Sequence, residues 1–228
     1  NAADANLQGT ITSTSTVSIA ASQNGRSIDL GTDTIGRLSL TDAELDRITA
    51  GMLQIGNANS GAITVSAAIS PALSSSLSVV TGANIIDANA SGADITVPVL
   101  SLLASTGIET FGNLLEIEVN NLASAHTNAG NLLIELFDVD NAGVSVTSAS
   151  TVNGTIQFYS STGGTTNTLS FGTLTAGGPT SIGIVKTTPG NISLSNATAQ
   201  GGIYVEARGP GSAIIHTSGA IQTTGSNI

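Results

Sequence analysis

Val144-Ser145-Val146, Ile156-Gln157-Phe158, Leu169-Ser170-Phe171, Ile182-Gly183-Ile184, Ile192-Ser193-Leu194 and Ile203-Tyr204-Val205 are the triplets on which the fold of this chain turns. Each sets a small or polar residue between two apolar ones, the period of two that marks a strand with one buried face. Their spacing is regular, with each triplet starting roughly 10–13 residues after the last and a further step of the same size reaching Ile214. Turn formers separate them: Asn153-Gly154, Gly163-Gly164, Gly177-Gly178-Pro179, Pro189-Gly190-Asn191 and Gly201-Gly202. Two steps make a unit of roughly 20 to 26 residues, a period that signals stacked supersecondary repeats. One such unit cannot bury its own apolar face. Coils stacked so that each strand pairs in parallel with the one above, about 4.8 Å away, pile the inward Val, Ile and Leu into continuous ladders.

The same alternation runs upstream, in Ile63-Thr64-Val65, Ile95-Thr96-Val97 and Ile117-Glu118-Val119. The expectation is therefore an all-β chain, residues 1–228 forming one β-helix domain or a segment of a longer repeat shaft. A β-sandwich also has short strands at about 8–12-residue spacing and is the alternative. Against it stand the near-identical C-terminal units and an aromatic content of 3%.

Composition narrows function. Charged residues are 9% of the chain, far below the roughly 25% of an ordinary domain. Fifteen acids against five bases give a net charge of −10. Nucleic acid is excluded as a partner, because phosphate binding needs clustered Lys and Arg. There is no Cys, hence no disulfide frame and no thiolate zinc site. No run approaches the ~18 apolar residues of a spanning helix, so membrane insertion is not expected. A mean hydropathy of +0.29 argues against disorder. The chain starts at Asn1 without a basic and apolar leader, as expected of a mature protein or an excised segment.

One stretch departs from the strand pattern. In Thr41-Asp42-Ala43-Glu44-Leu45-Asp46-Arg47-Ile48-Thr49-Ala50-Gly51, Thr41 is a helix cap and Glu44 completes a capping box. Asp42 and Glu44 suit the positive N-terminal end, and Gly51 is a candidate terminator. A short helical excursion near residues 41–50 is expected, with Leu45 and Ile48 as its apolar contacts.

This stretch, with Ile28-Asp29-Leu30-Gly31-Thr32-Asp33-Thr34 before it and Leu53-Gln54-Ile55-Gly56 and Gly61-Ala62-Ile63-Thr64-Val65 after it, resembles a recurrent segment of large bacterial surface exoproteins of the filamentous-haemagglutinin-like family. The pattern from Gly107-Ile108 through Leu114-Leu115-Glu116-Ile117-Glu118-Val119-Asn120-Asn121-Leu122-Ala123 is similar to another segment of those adhesins. The resemblance implies a right-handed parallel β-helix shaft, secreted and displayed on the bacterial cell surface or released from it. The secretion module of such exoproteins carries Asn-Pro-Asn motifs. This chain contains no Asn-Pro, which points to the shaft.

Groups for chemistry are sparse. His126 and His216 lie far apart in the chain, in turn and strand-end contexts. Ser is abundant, but no Gly-x-Ser-x-Gly elbow occurs. The β-helix enzymes that cleave acidic polysaccharides need several carboxylates beside Arg or Lys, whereas Arg26, Arg37, Arg47, Lys186 and Arg208 are scattered singly. The Thr12, Thr14 and Thr16 comb does not recur in register as an ice-binding surface would require. The densest acidic group is Glu116, Glu118, Glu135, Asp138 and Asp140. If residues 114–119 and 132–137 occupy neighbouring coils, these carboxylates face one side and become candidate Ca²⁺ ligands; no other cofactor is expected.

The expectation is a structural or adhesive extracellular protein, not an enzyme: a rod in an adhesin, matrix fibre or filament. The alternative is a carbohydrate-active β-helix enzyme or a carbohydrate-binding module. Strand-like repeats run nearly to both ends, so the expected partners are further coils of a longer parent chain or a second copy stacked head to tail, together with host or matrix carbohydrate or protein.

Overall fold

The computed structural model describes residues 6–109, 113–161 and 167–225. The chain winds into a right-handed parallel β-helix of about seven turns. Every strand pairing among the described residues is parallel. That excludes the sandwich alternative, whose hairpins and Greek keys demand antiparallel neighbours.

One face stacks Ile28–Gly31, Ile63–Val65, Asn84–Asp87, Gly107–Ile108, Leu132–Phe137, Ile156–Ser160, Ile182–Lys186 and Ile203–Ala207 in that order. A second series runs Thr16–Ile19, Met52–Asn57, Leu77–Thr81, Ile95–Ala104, Leu115–Thr127, Val144–Thr151, Leu169–Ala176 and Ile192–Ala199. The long strands of this series cross a bend. Ile192–Ala199 carries Ile214–His216 on its first half and a separate strand, Ile221–Thr223, on its second. Val144 lies on Leu169, Leu169 on Ile192 and Ile192 on Ile214, so each turn advances the chain by the repeat unit expected from the triplets.

The core is a set of ladders. Ile28, Ile63, Ile85, Ile108, Leu132, Ile156, Ile182 and Ile203 stack one per turn, and all but the last are fully buried. Each buried Ile or Leu is worth roughly 1.5–3 kcal/mol relative to exposure. The stiff χ1 of Ile suits a position where neighbours above and below are the same residue. Phe158 and Phe171 meet inside the core, their ring centroids 5.2 Å apart.

Three threonines that end their strands point inward and are satisfied there. Thr81, Thr127 and Thr151 are buried, and their hydroxyls donate to the carbonyls of Gly61 (2.6 Å), Gly130 (3.0 Å) and Gly154 (2.6 Å). The Thr127 and Thr151 turns stack closely enough to require glycine. Gly130 has φ +76°, and a Cβ on Gly154 would run into the Gly130 carbonyl oxygen.

The helical excursion is shorter than the sequence suggests. Only Asp42–Leu45 is helical, and the chain is extended again at Ile48–Thr49. Thr41 caps as expected: the Glu44 carboxylate accepts from the Thr41 amide (2.9 Å) and hydroxyl (2.8 Å). Leu45 and Ile48 are fully buried. Gly51 does not end the helix; its lack of a side chain lets the backbone approach the Thr14 carbonyl, 2.7 Å from where a Cβ would be. Strand pairing of Ile48–Thr49 with Ile11–Thr12 overrides the longer helix, because tertiary ladder bonds outweigh local propensity.

At the N-terminal end, Leu38–Thr41 pairs on the outer edge of Ile28–Gly31, so this edge carries an extra strand where an open one is expected from the sequence. At the other end the last turn exposes Ile214 and Ile221, inward positions with nothing above them among the described residues.

Candidate functional site

The coil period itself creates a column of acids. Ile95 stacks on Ile117, which brings Asp94 level with Glu116, and the Asp94 amide donates to the Glu116 carbonyl at 2.7 Å. Glu116 in turn pairs with Glu135 one turn further on. Three carboxylates thus follow one another along the axis, an arrangement that like-charge repulsion disfavours unless something neutralises it.

A fourth acid enters from the neighbouring face. Asp87 pairs with Val65, which pairs with Leu30, so a carboxylate occupies an inward ladder position held by apolar residues in the two turns before it. Asp87 is 7% exposed and Asp94 0%. One carboxylate oxygen from each of Asp87, Asp94 and Glu116 lies within 4.8 Å of the other two.

Local bonds hold these groups in place. The Glu116 amide donates to Asp94 Oδ2 at 2.9 Å. The Asn89 amide donates to Asp87 Oδ1 at 2.6 Å, and Asn113 Nδ2 to Asp87 Oδ2 at 3.1 Å. The Glu109 carboxylate accepts from the Asp87 amide and, at 3.3 Å, from Asn113 Nδ2. Glu109 is itself buried and holds φ +62°, a left-handed conformation that costs a non-glycine residue about 1–2 kcal/mol. Asp94 Oδ1 is buried, and no N–H or hydroxyl among the described residues donates to it; it can bond to the Asp87 and Glu116 carboxylates only through a proton held between them.

Electrostatics follow from this geometry. Burial pushes the Asp94 carboxyl up to about 9, with the Glu116 amide opposing and the Asp87 charge adding to the rise. Burial raises Glu116 as well, opposed by its hydrogen bond with the Asp94 carboxyl and reinforced by the charges of Asp87 and Glu135. The two ion pairs among the described residues, Arg37 with Asp29 and Arg208 with Glu206, lie elsewhere. Protons or a cation must therefore supply the neutralising charge.

The five acids singled out from sequence divide between several tasks. Glu116 belongs to the column just described, and Glu135 stacks beside it and accepts from the Ser161 hydroxyl. Asp138 is 2% exposed and closes its own loop, accepting from the Gly143 amide at 3.1 Å and from Asn167 Nδ2. Its charge also acts on Lys186, a fully buried amine that burial pushes below the ordinary lysine value and that donates to Thr188 Oγ1 at 2.7 Å. Glu118 Oε1 accepts from the Val139 amide at 2.9 Å, while Oε2 is buried without a partner among the described residues. Burial raises Glu118, with the Val139 and Asp140 amides opposing and the Asp140 and Asp138 charges adding.

Glu118 and Asp140 line two adjoining surface depressions of about 480 and 500 Å³, together with Thr96. Among the described residues that line them there is no Arg or Lys. Holding an acidic sugar calls for such a cation in the groove, because its carboxylate is bound by charge-assisted hydrogen bonds from Arg or Lys. His126 is engaged on both nitrogens, by Ser150 Oγ at 2.7 Å and Asn128 Oδ1 at 3.0 Å, and His216 Nε2 donates to the Ser195 carbonyl at 3.1 Å. Neither histidine joins the acids. Thr12 stacks on Thr49 but Thr16 on Met52, so the Thr comb does not continue along the rod.

Sequence reasoning missed Asp87 and Asp94. A signal for Asp94 was available: the step that carries Ile95 to Ile117 also carries Asp94 to Glu116. Asp87 offered none, because its approach depends on how two faces meet. Comparison with protein-family models, with curated proteins and with solved structures returns no match.

Proposed function

We propose that the chain is a structural, adhesive rod of an extracellular bacterial surface protein, of the kind the filamentous-haemagglutinin-like resemblance implies. The observation that supports this reading most is the regularity of stacking: one apolar ladder runs from Ile28 to Ile203. Outward positions carry small hydroxyl residues, as in the rows Ser145, Ser170, Ser193 and Ser150, Thr175, Thr198. A stack of this kind spaces a ligand-binding end from a cell, and its acidic character favours solubility. We read the chain as a non-enzyme, a reading supported by the two depressions beside Glu118 and Asp140, whose described lining residues include no Arg or Lys to hold an acidic sugar. Further coils of a parent chain, or a second copy, are the partners that suit the exposed Ile214 and Ile221.

Antibodies against the chain, applied to intact cells of its source, test this reading. Labelling that external protease removes is expected. Labelling seen only after lysis, or release of products from acidic polysaccharides by the purified chain, would overturn it.

A further inference from the structure

We propose that Asp87, Asp94 and Glu116 form a binding site for a hard divalent cation, Ca²⁺ foremost, which ties successive turns of the helix together. The inference does not depend on the adhesive role. Ca²⁺ takes oxygen ligands at about 2.3–2.6 Å, so two ligands of one ion stand at most about 4.6–5.2 Å apart. The three carboxylate oxygens lie within 4.8 Å of one another, so a point no more than about 2.8 Å from all three exists, and side-chain shifts of a few tenths of an ångström bring them to Ca²⁺ distance. Asp94 supplies the independent indication. Its side chain is 0% exposed, one oxygen is bonded to the Glu116 amide, and the other is buried with no N–H or hydroxyl donor among the described residues, facing only other carboxylates. A buried, unpartnered carboxylate oxygen is costly unless a proton or a cation meets it.

The donor set selects the class of ion. All three ligands are carboxylates, the chain has no Cys, and neither histidine joins the group, so soft metals are disfavoured. Mg²⁺ demands closer, near-octahedral ligands and keeps its waters, whereas Ca²⁺ accepts irregular oxygen shells. The positions of the ligands give the ion its mechanical effect. Asp87 ends one strand, Asp94 precedes the next across residues 88–93, and Glu116 lies one turn along the axis. An ion shared by the three clamps that connection to the turn above it.

The competing occupant is a proton shared between the acids, and the experiment separates the two. The whole chain, stripped with chelator and moved to chelator-free buffer at about neutral pH, is titrated calorimetrically with CaCl₂ and melted with and without Ca²⁺. The expected result is one ion per chain and a rise in Tm of about 5–10 °C at Ca²⁺ roughly 100-fold above Kd. Binding also releases protons, so the heat varies with the ionisation enthalpy of the buffer. Asp94→Asn and Glu116→Gln abolish the heat and the shift, while Asp140→Asn, on the exposed loop, keeps both. If Asp94→Asn fails to fold, Asp87→Asn serves, and the wild-type titration needs no variant. No binding heat and no shift at Ca²⁺ of about 10 mM, well above the weakest extracellular modules, would overturn the proposal in favour of the shared proton. Binding that persists undiminished in Asp94→Asn and in Asp87→Asn would overturn it too.

Discussion

Replacing Asp94 by asparagine in the metal-free protein gives the most direct measure of what the buried acids cost. The Asp94 carboxyl has an ordinary value of 3.8 and is pushed up to about 9 by burial, by the Asp87 charge and by its neighbours. An acid raised in this way takes up a proton on folding across the interval between those two values. Its contribution to stability is full below about pH 4 and is lost as pH rises towards 9. One proton taken up corresponds to about 1.4 kcal/mol per pH unit, a ceiling of about 4 kcal/mol between pH 5 and pH 8. Glu116 is only half-buried and shares the proton, and solvent on its side screens the interaction. A loss of about 1–2 kcal/mol across that interval is therefore expected.

The Asp94→Asn side chain keeps the shape of the original. Its amide can donate permanently to the carboxylates of Asp87 and Glu116, while its carbonyl accepts from the Glu116 amide as the native carboxylate does. The assay is urea unfolding followed by circular dichroism at pH 5, 6, 7 and 8 in the presence of chelator. Wild type should lose stability steadily with rising pH. Asp94→Asn should show a flatter profile and overtake wild type near pH 8. Wild-type stability independent of pH, or the same slope in both proteins, would refute the burial argument.

Phe158→Ala removes a fully buried ring and its contact with Phe171; a loss of about 3–5 kcal/mol in urea unfolding is expected, with non-additivity in the Phe158/Phe171 double variant. Gly154→Ala places a methyl group against the Gly130 carbonyl, backbone against backbone; a larger loss of stability is expected than for Gly36→Ala, where a Cβ meets nothing, although φ +87° strains that site too. Glu44→Ala removes the acceptor for the Thr41 and Leu7 amides, for about 1 kcal/mol, and limited proteolysis should then cut earlier near Leu7. Burial pushes Glu44 up, but its hydrogen bonds to Thr41 and Leu7 outweigh this and hold it below the ordinary value. That contribution is present above about pH 4.5 and fades as pH falls through the lowered value.

Amino-acid order alone carried the period of two, the recurrence of about 20 to 26 residues and the poverty of charge and aromatics. These determine a parallel stack, because no unit of that length can bury its face without a neighbour of the same kind. Thr41 and Glu44 announced the helix start for a related reason: capping is local chemistry, readable within a single turn. The helix end was not readable, since it depends on Ile48–Thr49 pairing with Ile11–Thr12, a partner distant in the chain. The acids show the same division. Stacking of Glu116 on Glu135 does not follow from coil arithmetic alone: this step is shorter than the one that joins Ile95 to Ile117, so register depends on where the strand crosses its bend. Asp87 reaches Asp94 and Glu116 only because two faces of the helix converge at a corner, and Asp138 turns away to its loop, Asn167 and the buried Lys186. Periodicity specifies which residues lie above one another; which side chains meet across a corner is decided by the cross-section of the coil, and that exists only once the turns have stacked.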